Sequence, residues 1–234
     1  MGMLTKMPLL LLPGLLCDAR LWAGPAEALA DIADAVVPDL TQDDSLAAMA
    51  VRVLGEAPAQ FALAGLSMGG YLAMEIMRRA PERVLRLALF DTSARADTPE
   101  QIRRRKGLMA LTRTGLFKGV TPRLLPQLVH EKHHRGPVGE VVMEMANEIG
   151  RDAFLRQQSS IMGRPDSRPE LPGYRLPAMV VVGENDVMTP PELAIEMARL
   201  IPGAVLHRVP ETGHLPPLES PGDSAACLRA WLMA

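Results

Sequence analysis

The stretch FALAGLSMGGYLAMEIMRRAP, from Phe61 to Pro81, changes structural type within one turn. Phe61 to Leu66 is an unbroken apolar run, the pattern of a strand buried on both faces. Tyr71 to Arg79 carries apolar residues at helical spacing, and Pro81 stops it. Between them lie Gly65, Ser67, Met68, Gly69 and Gly70, which fit G-x-S-x-G. Placed between strand and helix, that pattern predicts a sharp turn that strains Ser67 and leaves no room for side chains at positions 65 and 69. Such a turn lifts the hydroxyl to the carboxyl edge of a sheet and the N-terminus of a helix. Free N–H groups and the helix dipole there favour an anion. Taken alone, the stretch also reads as a plain glycine-rich connection with Ser67 as an N-cap.

The rest of the chain places this turn in a larger pattern. PLLLLPG, Ala35 to Val37, QFALAGL, RVLRLALFDTS, AMVVVGEND and AVLHRVPE read as strands. SLAAMAVRVLGEA (with Ser45 as N-cap), MGGYLAMEIMRRA, PPELAIEMARLI and SAACLRAWLMA read as helices. Apolar strands alternating with helices predict an α/β protein with a mainly parallel sheet of about six strands flanked by helices. At 234 residues, about half of them apolar, the chain can bury one large core.

Residues 95–175 break the alternation. They contain no convincing strand and are too long for a loop. QIRRRKGLMALTRTGLF, TPRLLPQLVHEK and GEVVMEMANEIG each show helical patterning. The expectation is a core of residues 1–94 and 176–234, with residues 95–175 inserted as a helical cap. Between Asp97 and Arg175 stand 14 Lys or Arg against 9 Asp or Glu, a surplus of five positive charges. The whole chain carries −2, so the remainder is about −7.

A net charge of −2 argues against nucleic-acid binding through bulk electrostatics. Cys17 and Cys227, the two cysteines, form neither a disulfide framework nor zinc spacing. The apolar start, MPLLLLPGLLC, is broken at Pro13 and lacks the charged start and cleavage site of a signal peptide. No stretch reaches the roughly 18 apolar residues of a membrane span. These features predict a soluble cytoplasmic protein with no membrane association.

A serine needs a base to become a nucleophile. His130, His133 and His134 lie in the insertion, where a solvated helix face is the simpler account, and His207 falls within a strand. His214 follows the last strand in VPETGHLPPLESP, again at the carboxyl edge. Asp186 ends AMVVVGEND and could orient the imidazole, although turn or helix capping is its ordinary role. Asp91 at the end of LALFD is a second candidate acid, read as a turn cap. Cys17 reads as a small buried apolar residue. Ser67, Asp186 and His214 each follow a separate strand, in the chain order of an α/β-hydrolase triad.

AGLSMGG, GENDVMTP and ETGHLPPLESP together resemble the nucleophile, acid and histidine segments of the α/β-hydrolase family, of the small capped esterase type. The resemblance covers essentially the whole chain and implies a shortened N-terminus lacking the family's first strands. It implies a cap at residues 95–175 and no metal or organic cofactor. It also implies an oxyanion hole made by backbone N–H groups. One donor is Met68. The other lies in LLPGLLCD, where Pro13-Gly14 replaces the family's His-Gly, so the matching residue is Leu15, with Leu16 the neighbouring register.

The expected activity is hydrolysis of a small or medium carboxylic ester, thioester or enol-lactone through an acyl-enzyme on Ser67. The same triad serves carbon–carbon bond hydrolases and cofactor-free haloperoxidases. A non-catalytic small-molecule-binding protein on this scaffold is a further alternative. An ester hydrolase that docks an acidic acyl-carrier protein on its basic cap is another, against which stands the reading of those charges as a solvated helix face.

Overall fold

The computed structural model describes residues 6–115 and 117–234. Residues 1–5, part of the signal-peptide reading, lie outside the described residues. The sheet contains β1 (Met7–Leu12), β2 (Ala33–Val36), β3 (Phe61–Leu66), β4 (Val84–Phe90), β5 (Ala178–Gly183) and β6 (Val205–Val209). Its order is β2-β1-β3-β4-β5-β6, and every neighbouring pair is parallel. β3 and β5 are buried at every position, as their continuous apolar runs require.

Helices cover both faces. They are α1 (Ala23–Ala28), α2 (Leu46–Glu56), α3 (Met68–Arg79), α4 (Pro99–Thr114), α5 (Pro137–Met162), α6 (Pro191–Leu200), α7 (Pro216–Glu219) and α8 (Pro221–Met233). Successive β1 residues alternate between two cores. Leu10 and Leu12 join the core beneath α2, α3 and α6. Leu9 and Leu11 join Trp22, Leu228 and Trp231 from the α1 and α8 side. Ser45 caps α2 as expected, accepting from the Ala48 N–H.

Between β4 and β5 no strand occurs among the described residues. α4 and α5 match two of the three predicted helical patterns. The third, TPRLLPQLVHEK, forms only single 3-10 turns at Leu125–Gln127 and Glu131–His133. Pro126 removes a donor there. The backbone that a helix would have used internally serves the core instead, since the Leu128 carbonyl accepts the His214 N–H at 2.9 Å. α5 is two half-helices joined at Gly150, whose φ of 77° interrupts the helical run.

The inserted helices are anchored by a buried ion cluster. Asp97 pairs with Arg105 at 2.7 Å and with Arg164 at 2.8 Å. The Arg164 guanidinium also lies 4.2 Å from the centroid of the Tyr71 ring on α3. No helix among the described residues is long and apolar enough to cross a membrane.

Candidate active site

Ser67 joins β3 to α3 with φ 54° and ψ −112°, backbone angles that a non-glycine residue adopts only under constraint. Its N–H donates to the Phe90 carbonyl at 3.0 Å, and Thr92 Oγ1 donates to its carbonyl at 2.8 Å. Its side chain makes no capping bond, so the N-cap reading does not describe it. The flanking glycines are required by contact. A Cβ on Gly65 would lie 2.3 Å from the Gly69 carbonyl oxygen, and one on Gly69 would lie 2.2 Å from that of Leu12. Ser67 is only partly buried, while Leu66 before it and Met68 after it are buried.

Asp186 and His214 meet at the ends of β5 and β6. His214 Nδ1 lies 2.8 Å from Asp186 Oδ2 in a buried contact. Asp186 also accepts from the Met188 N–H at 2.7 Å, the Thr189 N–H at 3.1 Å and Thr189 Oγ1 at 2.6 Å. Burial alone would raise the pKa of this carboxyl. The charge and hydrogen bond of His214, together with Thr189, outweigh burial and hold it below the ordinary aspartate value. Asp186 is an ionised acceptor that holds the ring by its Nδ1 side.

The histidine loop is held by a residue that sequence reasoning missed. Glu219, at the end of α7, is buried. Its carboxylate accepts from the N–H groups on both sides of His214, Gly213 at 3.0 Å and Leu215 at 2.9 Å. It also accepts from the His130 N–H of the inserted segment at 2.7 Å. The available signal was an acidic residue inside the otherwise apolar, proline-rich HLPPLESP. Thr189 was missed likewise.

The loop after β1 lies against the serine. A Cβ on Gly14 would come within 3.6 Å of Ser67 Cβ. Of the two backbone donors considered there, the Leu16 N–H is taken, donating to Gln157 Oε1 at 3.1 Å. The Leu15 N–H makes no hydrogen bond among the described residues, and neither does the Met68 N–H at the start of α3. Cys17 is buried and its thiol is pushed up to about 12, chiefly by burial and then by the charge of Asp18, so it stays protonated.

Asp91 does not cap its own turn. It is 1% exposed, with φ 38°, and its Oδ1 accepts the Gly183 N–H from β5 at 2.8 Å. Strand β4 therefore delivers it to the side of Asp186. Asp91, Asp186 and His214 offer ligand atoms within 4.8 Å of one another. A metal would find little capacity there, because the four lone-pair positions of Asp186 already accept four hydrogen bonds.

A parallel sheet whose strand ends present serine, aspartate and histidine in this order defines an enzyme of the α/β-hydrolase class. The model of the alpha/beta hydrolase family matches residues 9–226, and the chain belongs to that family. It is 29% identical over 196 residues to a pimeloyl-[acyl-carrier protein] methyl ester esterase from Nitrosomonas europaea, covering 80% of this chain and 77% of that protein. The fold superposes on a thermophilic esterase from Thermogutta terrifontis with a TM-score of 0.89 and 32% identity, covering 98% of this chain and 90% of the other. The enol-lactonase from Burkholderia xenovorans LB400 shares the fold at a TM-score of 0.88 and 23% identity, covering 98% and 92%.

Proposed function

We propose that the chain is a serine hydrolase that cleaves small or medium carboxylic esters in the cytoplasm. The observation that carries this reading is the hydrogen-bonded His214–Asp186 pair at the same sheet edge as the strained Ser67. Ser67 Oγ attacks the ester carbonyl while His214 Nε2 takes its proton. Asp186 holds the Nδ1 proton and balances the developing imidazolium. The Leu15 and Met68 N–H groups stabilise the oxyanion, each such donor being worth about 3 kcal/mol in the transition state. His214 then protonates the leaving alcohol, and a water that it activates clears the acyl-enzyme. Residues 95–175 act as the cap and form one wall of the acyl pocket.

A fluorophosphonate probe and a series of p-nitrophenyl esters test the reading together. The probe should label Ser67, and Ser67→Ala should lose both labelling and ester turnover while unfolding at the wild-type temperature. Turnover at the wild-type rate in Ser67→Ala would overturn the mechanism. The ester series should peak at short or medium acyl chains.

A second reading concerns what carries the ester. The Nitrosomonas relative is named for an acyl-carrier-protein substrate. In this chain α4 exposes Arg103, Arg104, Lys106 and Arg113 beside Leu108 and Leu111, a surface suited to an acidic partner. Arg103→Glu combined with Arg104→Glu should raise KM for a carrier-bound methyl ester at least about tenfold at low salt, where exposed charges are least screened. It should leave the free methyl ester unchanged. Equal effects on both substrates would remove the carrier from the reading and leave the esterase standing.

A further inference from the structure

Helix α5 belongs to the insertion, yet one of its side chains reaches through into the core. Gln157 is 0% exposed. Its Oε1 accepts the Leu16 N–H, and its Nε2 donates to the Leu40 carbonyl, both at 3.1 Å. A backbone donor on one side and a backbone acceptor on the other fix which way the amide points.

Leu16 is held twice over. Its φ is 59°, a left-handed conformation that costs a leucine free energy and persists only where its surroundings impose it. Its side chain packs against Ala146 and Phe154, also of α5. Helix α5 therefore grips both the backbone and the side chain of the residue that follows Leu15. A peptide unit rotates as a body, so fixing the Leu16 N–H constrains the Leu15 carbonyl and, through φ and ψ, the preceding N–H.

We infer that Gln157 is a positioning residue for the oxyanion hole: by binding the Leu16 N–H it holds the β1–α1 loop in the one register that leaves the Leu15 N–H free beside Ser67. This rests on the serine-hydrolase reading. Gln157 touches neither substrate nor triad and acts through Leu16. It makes the oxyanion hole depend on the seating of the inserted helix, since the loop donor is set from α5 rather than from the sheet. The competing account is that Gln157 only staples α5 to the core, in which case its loss would disturb all binding alike.

The two accounts separate on a pair of inhibitors. An alkyl trifluoromethyl ketone adds the serine and forms an oxyanion, whereas the corresponding alcohol fills the same pocket without one. The wild type should bind the ketone far more tightly. Loss of an oxyanion donor costs about 10²–10³ in rate, so a displaced donor in Gln157→Leu should weaken the ketone at least about tenfold. It should leave the alcohol within about threefold, and lower kcat with KM little changed. Gln157→Glu keeps an acceptor for the Leu16 N–H, and a carboxyl buried this completely is favoured in its protonated form, whose O–H donates to the Leu40 carbonyl, so its ketone-to-alcohol ratio should stay within about threefold of wild type. That variant keeps the test decisive if Gln157→Leu does not fold.

A Gln157→Leu enzyme that retains the ketone preference overturns the inference alone. So does a Gln157→Glu enzyme whose preference falls tenfold. A wild type that binds ketone and alcohol equally overturns the serine-hydrolase reading, and this inference with it.

Discussion

Strands β4 and β5 are neighbours, and each ends close to a buried aspartate, but the two carboxyls are opposites. Asp186, after β5, is surrounded by donors: two backbone N–H groups, the Thr189 hydroxyl and the His214 ring. They hold its pKa below the ordinary value despite burial. Asp91, after β4, has one donor, the Gly183 N–H, and its Oδ2 is buried with no partner. Burial first, and then the charge of Asp186, push its pKa well above the ordinary carboxylate range. The residue type is the same and the separation is a few ångströms. What differs is the loop that follows. After β5, Val187 to Thr189 turn back so that two N–H groups face the carboxylate. After β4, the chain leaves with φ 38° at Asp91 and offers none. The charge and hydrogen bond of His214, with the loop donors added, hold Asp186 below the ordinary value, whereas Asp91, with one donor and the charge of Asp186 beside it, is pushed above it.

The largest effect that can test this contrast falls on Asp186. Asp186→Asn keeps the shape but presents the wrong group to His214 Nδ1, so kcat should fall by about 10³ to 10⁴ with the fold intact. Stopped-flow ester turnover with thermal melts as control measures it. If Asp186→Asn were nearly silent while Asp91→Asn removed activity, the two assignments would have to be exchanged.

That contrast also marks how far the sequence could be read. The apolar runs located all six strands, and β3 and β5, buried at every position, could not be built without them. β2 moved from about Ala35–Val37 to Ala33–Val36, and β1, β4, β5 and β6 each end before the stretches read for them do. β2 is one of the two edge strands, and of its four residues only Ala33 is buried, so the hydrophobic pattern pins its ends weakly. The positions of Ser67, Asp186 and His214 at strand ends followed from the same alternation. What stayed illegible were contacts between segments far apart in the chain. Asp91 read as a turn cap because nothing local shows that β4 lies beside β5. Glu219 and Gln157 each bond backbone groups brought close only by folding, Gln157 across more than a hundred residues.

The insertion divides along the same line. α4 has a single buried residue, Met109, and a Thr98–Gln101 capping box that the reading of its helical pattern did not use. α5 has ten buried residues and meets the loop after β1 at Leu16, yet its sequence pattern did not distinguish it from α4. Its Gly150 kink and its polar Gln157 both blur an amphipathic stripe, since the first resets the helical phase and the second places an amide where an apolar side chain is expected.

The smaller test concerns Asp91. In the folded protein its pKa is raised, so folding takes up a proton wherever the pH lies between the unfolded value, about 3.9, and the folded one. Its contribution to stability is therefore fully present below the unfolded pKa and is lost as the pH rises through the folded one. Asn cannot ionise, and its amide can still accept the Gly183 N–H while presenting N–H to the Asp186 side, as a protonated Asp91 would. Asp91→Asn should thus melt close to wild type near pH 4 and progressively above it as the pH is raised toward 8. kcat at neutral pH should change less than about tenfold, because the isosteric amide leaves the Asp186–His214 pair undisturbed. The infrared C=O band of a protonated carboxylic acid should persist in the wild type at pH values above the ordinary carboxylate range and be missing from the variant. A variant less stable than wild type at every pH, with no such band to lose, would mean that Asp91 is ionised in the folded protein. The contrast with Asp186 would then rest on geometry alone.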